Sequence, residues 1–106
     1  PYDELIIVAN KARATDKRFS NFMDAVERGV LYLINHPDES WNHFIGAYKE
    51  LDDELNKRAW RDTLPRFALR PSAFDYKRYK RFAAFLKKQG LIKKVQPVSE
   101  YAIELP

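Results

Sequence analysis

Cysteine is missing from this 106-residue chain, which rules out disulfides, thiolate nucleophiles and cysteine metal sites. Only three glycines are present, Gly29, Gly46 and Gly90, and they are scattered. No glycine-rich phosphate loop or nucleophile elbow can be built from them. No apolar run approaches the roughly 18 residues that a membrane span needs. With two histidines, His36 and His43, a metal site would lack an evident third ligand. A charged leader with an apolar core is also lacking, and the first residue is Pro1. The expectation is therefore a segment of a longer chain.

What is present is ordinary for one small folded piece: 45% hydrophobic and 32% charged residues, with a net charge of +4. The charge is unevenly divided. Residues 1–56 hold 6 Lys/Arg against 11 Asp/Glu, net −5, and residues 57–106 hold 13 against 4, net +9. Such a split marks either an anion-binding surface or two halves that face different neighbours.

Near the start, Leu5-Ile6-Ile7-Val8 is a continuous apolar run rich in β-branched residues. Its length and composition predict a strand buried on both faces. The rest of the chain reads as helical and offers that strand no partner. Its unpaired N–H and C=O groups call for one, which implies either a missing part of an α/β protein or a second copy pairing through Leu5–Val8.

Helical periodicity predicts helices over 15–35, 37–49, 52–64 and 73–89, and a short one over 98–103. The first, capped by Thr15 or Asp16, aligns Phe19, Phe22, Met23, Val26, Val30, Leu33 and Ile34, with Gly29 beside the stripe to admit a close backbone. Pro37 separates it from the second, whose stripe is Trp41, Phe44, Ile45 and Tyr48. Asp52 caps the third, in which Leu55, Ala59, Trp60 and Leu64 face inward until Pro65 ends it. Ser72 and Asp75 have capping-box spacing for the fourth, which closes at Gly90 in the left-handed region.

The fourth helix mixes Lys77, Arg78, Lys80, Arg81, Lys87 and Lys88 with Tyr76, Tyr79, Phe82 and Phe85. Phosphate contacts with base stacking would use such a mixture. At about 100° per residue, however, Lys77, Arg81 and Lys88 share one face while Tyr79, Phe82, Ala83 and Leu86 share the opposite one. That is an amphipathic helix with its aromatics turned inward, and it argues against nucleic-acid binding.

Several short motifs occur in a telling order: Pro1-Tyr2-Asp3-Glu4-Leu5 before the apolar run, His36-Pro37-Asp38-Glu39-Ser40-Trp41, Leu51-Asp52-Asp53-Glu54-Leu55, Thr63-Leu64-Pro65, Gly90-Leu91-Ile92 and Pro97-Val98. In order and spacing they resemble the C-terminal portion of ABC-transporter solute-binding proteins for thiamine pyrimidine precursors, a family similar to the fungal thiamine-pyrimidine synthases. His36 departs from the pattern, which has Asn at that helix cap, and the whole first half of such a protein has no counterpart here.

The resemblance implies a predominantly α segment, one strand plus four to five helices, forming the C-terminal part of a two-lobed α/β periplasmic-binding fold. Residues 1–10 would supply a hinge or core strand. It implies ligand binding by Tyr2, stacked on a pyrimidine ring, and by Glu4, accepting from the exocyclic amine. It implies no catalytic residue, metal or cofactor in this chain, an ABC permease as partner, and a periplasmic or extracytoplasmic setting. The alternatives are a fragment of a synthase-type enzyme, whose catalytic histidine matches neither His36 nor His43, and a basic helical module for nucleic acid or another anionic partner.

Overall fold

The structure is a computed structural model, and it describes residues 5–105. In order come a 3-10 turn Lys11–Arg13, helix α1 Lys17–Asn35, helix α2 Pro37–Ala47, a 3-10 turn Lys49–Leu51, helix α3 Glu54–Thr63, a 3-10 turn Leu64–Arg66, helix α4 Tyr76–Lys88 and a last 3-10 turn Val98–Glu100. Among the described residues there is no strand, and no helix is long and apolar enough to cross a membrane.

The predominantly helical reading therefore stands, with the short helix expected over 98–103 present only as the 3-10 turn Val98–Glu100, and the strand at Leu5–Val8 does not. Residues 6–10 have no regular structure. The physical cause is the one that made the run anomalous: a ladder needs a second backbone, and none of the described residues supplies one.

The chain divides into two compact units, Pro1–Ser20 with Ser72–Pro106, and Asn21–Pro71. The division falls within the first turn of α1.

In the unit formed by Asn21–Pro71, α1 buries Met23 and Val30, both on the expected stripe, while Phe22 is 53% exposed at the margin of that stripe. Gly29 is exposed, and a Cβ added there would meet nothing within 4 Å, so no close backbone contact explains it. Pro37 opens α2 at a position where its missing N–H costs nothing. Asp38 and Glu39 follow in the first turn, where the helix dipole favours acids. Asp53, one residue after the expected Asp52, caps α3: its Oδ1 accepts the Asn56 N–H at 2.7 Å. At the other end Thr63 Oγ1 donates to the Ala59 carbonyl at 2.6 Å, and Pro65 lies in the 3-10 turn that follows. Trp41 is buried at 9% exposure. Its ring meets Trp60 of α3 edge-on at 5.5 Å between centroids, and Phe44 stands 5.3 Å from the Trp60 ring.

In the other unit α4 begins at Tyr76, later than the Ser72 box predicts, because Asp75 is itself the cap, accepting the Arg78 N–H at 3.1 Å. The Ser72 carbonyl serves a different purpose, accepting the Leu105 N–H at 3.3 Å. Gly90 has φ +72 as expected. The bonds Gly90 N–H to Lys87 O and Leu91 N–H to Leu86 O, both 3.0 Å, form a Schellman ending. Ala83 and Val98 are buried, and the Phe74, Tyr79 and Tyr101 rings follow one another at 5.4 and 6.3 Å.

These cores are small. Met23, Val30, Trp41, Ala83 and Val98 are the buried apolar residues, and no large side chain among the described residues is completely enclosed. Large apolar side chains stay exposed in both units, among them Phe22, Tyr48 and Leu55 in one and Phe85, Leu91 and Ile103 in the other.

Candidate functional site

Tyr2 and Glu4, the expected ligand contacts, lie outside the described residues. The described chain resumes directly after them with Leu5–Val8, which is exposed.

The best-formed hollow in the unit of Asn21–Pro71 is a groove of about 260 Å³, lined by Trp41 and Phe44 from α2, by Asn56, Ala59, Trp60 and Thr63 from α3, and by Leu64 and Phe67 beyond it. Its aromatic walls are fixed by packing and by one long-range hydrogen bond, Trp60 Nε1–H to the Pro37 carbonyl at 3.3 Å. Asn56 is held in place by Asp53, whose Oδ2 accepts from Nδ2 at 3.0 Å. No lining side chain is an acid or a base. The groove can therefore receive a flat apolar or heteroaromatic group, but it has no proton donor or acceptor suited to acid–base chemistry. A second hollow of about 250 Å³ lies in the other unit, between Tyr76, Lys80 and Ala83 of α4 and residues 95–98. Lys80 is its one cation.

The two histidines come together around Glu39 of α2. Glu39 stands 3.9 Å from His36 Nδ1 with one oxygen and 3.7 Å from His43 Nε2 with the other. Its carboxyl is held below the usual range, first by the Tyr32 hydroxyl that donates to it and then by the two imidazoles. The same bond raises the Tyr32 phenol. His36 occupies the cap position of α2 but makes no capping bond with its side chain. It stacks on Tyr32 instead, at 4.5 Å. The 32, 36, 39, 43 spacing, steps of four, three and four, was the available signal for Glu39. Among the described residues no set of three or more acids and histidines is arranged to hold a metal ion.

Helix α4 divides its faces as the sequence predicts. Ala83 is buried and Tyr79, Phe82 and Leu86 are half-buried, while Lys77, Arg81 and Lys88 are exposed. Tyr76 and Phe85, outside the inward set, are exposed at 54% and 52%.

Comparison with known proteins gives these observations their context. Residues 1–40 match the family described as NMT1/THI5 like. Over an alignment 106 positions long that covers 98% of this chain, the sequence is 48% identical to a Haemophilus influenzae protein that carries the provisional name of a thiamine biosynthesis protein. The chain spans about a third, 33%, of that relative's length. No solved structure matches it. The matched span of residues 1–40 contains the Tyr2-to-Val8 stretch and the His36-to-Ser40 part of the next motif. The resemblance carried by those motifs holds: the chain is similar to the NMT1/THI5-like family over residues 1–40 and to the thiamine biosynthesis relative over nearly all of its own length.

Proposed function

We propose that this chain is the C-terminal part of a solute-binding protein that captures a thiamine pyrimidine precursor, of the hydroxymethylpyrimidine or formylaminopyrimidine type, and presents it to an ABC permease. The observation that carries the reading is the similarity of nearly all of this chain to about a third of a relative named for thiamine biosynthesis, joined to a family match that begins at the Tyr2–Glu4 motif. The groove of the Asn21–Pro71 unit is aromatic and without ionisable lining groups, and the His36–Glu39–His43 cluster is solvent-exposed.

In this reading Tyr2 offers a ring face to the pyrimidine and Glu4 accepts hydrogen bonds from its exocyclic amine. The remainder of the cleft comes from a part of the protein that this chain does not contain. The uptake role sets the protein outside the cytoplasmic membrane. A synthase-type enzyme is the second reading, favoured by the biosynthetic name of the relative.

Calorimetry with the two pyrimidines decides between them. Residues 1–106 alone are expected to show no micromolar binding, because one wall of a two-lobed cleft buries too little of a ligand. A longer protein that carries this chain is expected to bind and to release the pyrimidine unchanged. Micromolar binding by residues 1–106, or formation of a pyrimidine by the longer protein, overturns the proposal.

A further inference from the structure

Helix α4 carries its charge on one side. With each residue turned about 100° from the last, an exposed arc of half a turn runs from Tyr76 through Lys87, Lys80, Ala84, Lys77, Lys88 and Arg81 to Phe85. Five cations thus lie between two aromatic rings, with a small residue at the centre. From Tyr76 to Ser99 the sequence holds eight Lys/Arg and no Asp/Glu. The whole unit of Pro1–Ser20 with Ser72–Pro106 has 12 Lys/Arg against 6 Asp/Glu, net +6. Three of those acids are engaged: Asp16 with Arg18 at 2.6 Å, Glu100 with Lys11 at 3.6 Å, and Asp75, which caps α4 and has Arg81 near it. The unit's own acids are too few to neutralise the arc. Covering it with further protein would strip water from five cations, which is costly unless each meets an acid.

We propose that this arc is a docking surface for a membrane of anionic phospholipids, on which α4 lies flat without entering the hydrocarbon. Charge complementarity selects an anionic partner, and the pattern selects its kind. A protein partner fixes its register through mixed and patterned charge, whereas this arc has a single sign. Mobile headgroups need no register. A nucleic-acid strand would use rings interleaved with the cations to stack its bases, but Tyr79 and Phe82 are turned inward. The exposed rings, Tyr76 at 54% and Phe85 at 52%, stand only at the margins, where they can settle at headgroup level. Ala84, exposed and small at the centre, lets the helix lie close. The inference shares with the uptake reading a place at a membrane surface, but it does not depend on the ligand.

Vesicle flotation tests it, using a longer protein that carries this chain. One set of vesicles is phosphatidylcholine mixed with phosphatidylglycerol, and the other is phosphatidylcholine alone. The protein is expected to float with the mixed vesicles at low salt, to leave them as salt rises, and not to float with the neutral ones. Lys77→Gln, Lys80→Gln and Lys88→Gln together keep good helix formers on the arc. This triple variant is expected to lose about 100-fold in partitioning, at roughly five-fold for each cation near the surface. Arg28→Gln, Lys49→Gln and Arg61→Gln together remove the same charge from exposed positions outside α4 and are expected to cost far less. Far-ultraviolet circular dichroism checks that both variants keep their helices. Failure to float with the mixed vesicles at low salt overturns the proposal. So does equal flotation with neutral vesicles, and so do equal losses in the two triple variants, which would assign the effect to net charge. Binding of a single-stranded oligonucleotide at a salt concentration that releases the vesicles would assign the arc to nucleic acid instead. The assay contains no pyrimidine, so its failure and that of the uptake reading are distinguishable.

Discussion

Leu5–Val8 and the α2–α3 aromatic cluster are both strongly apolar, yet they end in opposite environments. The first is a continuous run and stays exposed. The second is spread over Trp41, Phe44 and Trp60 among Asp, Asn, Lys and Arg, and it buries Trp41 to 9% exposure. The difference lies in what each pattern demands of its surroundings. A helical stripe has one face to hide, and its backbone is satisfied internally, so one neighbouring helix from the same chain completes it. A continuous extended run has two faces to hide and a backbone edge to pair, and that requires at least one further strand. Hydrophobicity alone does not decide burial; the number of partners required does.

The largest effect that sharpens this contrast is Trp41→Ala. It is expected to destabilise the Asn21–Pro71 unit by about 3–5 kcal/mol, whereas Leu5→Ala stays within about 0.5 kcal/mol, as for an exposed residue. Urea denaturation followed by circular dichroism measures both. Equal costs would mean that the N-terminal run contributes to a core, and the contrast would fail.

The next probes what the N-terminal region does once its partners are present. In a longer protein that carries this chain, Glu4→Gln is expected to weaken pyrimidine binding by about 1.5–3 kcal/mol, the usual range for a hydrogen bond to a charged group. Glu104→Gln, on an exposed residue, is expected to leave affinity unchanged. Calorimetric titration that finds the two variants alike would return Glu4 to the role of a solvated acid.

A smaller effect belongs to the helix side of the comparison. Asp53→Ala removes the acceptor for the Asn56 N–H and frees the Asn56 side chain that lines the aromatic groove. It is expected to cost about 1 kcal/mol, read as a lower denaturation midpoint, whereas Asp53→Asn is expected to retain most of the stability. If both cost the same, the cap is not what holds α3.

The smallest expected effect concerns acid. The Asp75 carboxyl lies below its ordinary 3.8, first because it accepts the Arg78 N–H and also because Arg81 and Arg78 are near. A folded value below the unfolded one gives stability that is present above pH 3.8 and disappears as pH falls through the folded value. The end of α4 is therefore expected to loosen only below about pH 4, and Asp75→Asn is expected to remove that acid-dependent component while keeping an acceptor oxygen. Amide exchange at Arg78 across this range would show it, and an Asn variant that loosens at the same pH would assign the change to another group.

Where local rules govern, the chain could be read directly. Asp16 does begin α1, accepting the Arg18 N–H at 2.9 Å, Pro37 and Pro65 mark the boundaries expected of them, and Gly90 takes its positive φ. The inward set of α4 follows from 3.6 residues per turn alone. Each of these depends on residues within about four positions of one another, so the sequence window contains all the parties. The choice of Asp53 over Asp52, and of Asp75 over Ser72, is also local. It turns on which acceptor reaches a backbone N–H, a matter of ångströms that spacing leaves open.

The aromatic groove and the fate of Leu5–Val8 could not be read in this way. Trp60 reaches the Pro37 carbonyl 23 residues away, and the groove exists only because α2 and α3 pack with Trp41 and Phe44 against that ring. No periodicity within either helix records the other's position. For Leu5–Val8 the sequence determined that the segment is apolar and β-prone. Only the tertiary structure decided that no strand forms, because strand formation depends on a second backbone and local propensity cannot provide one.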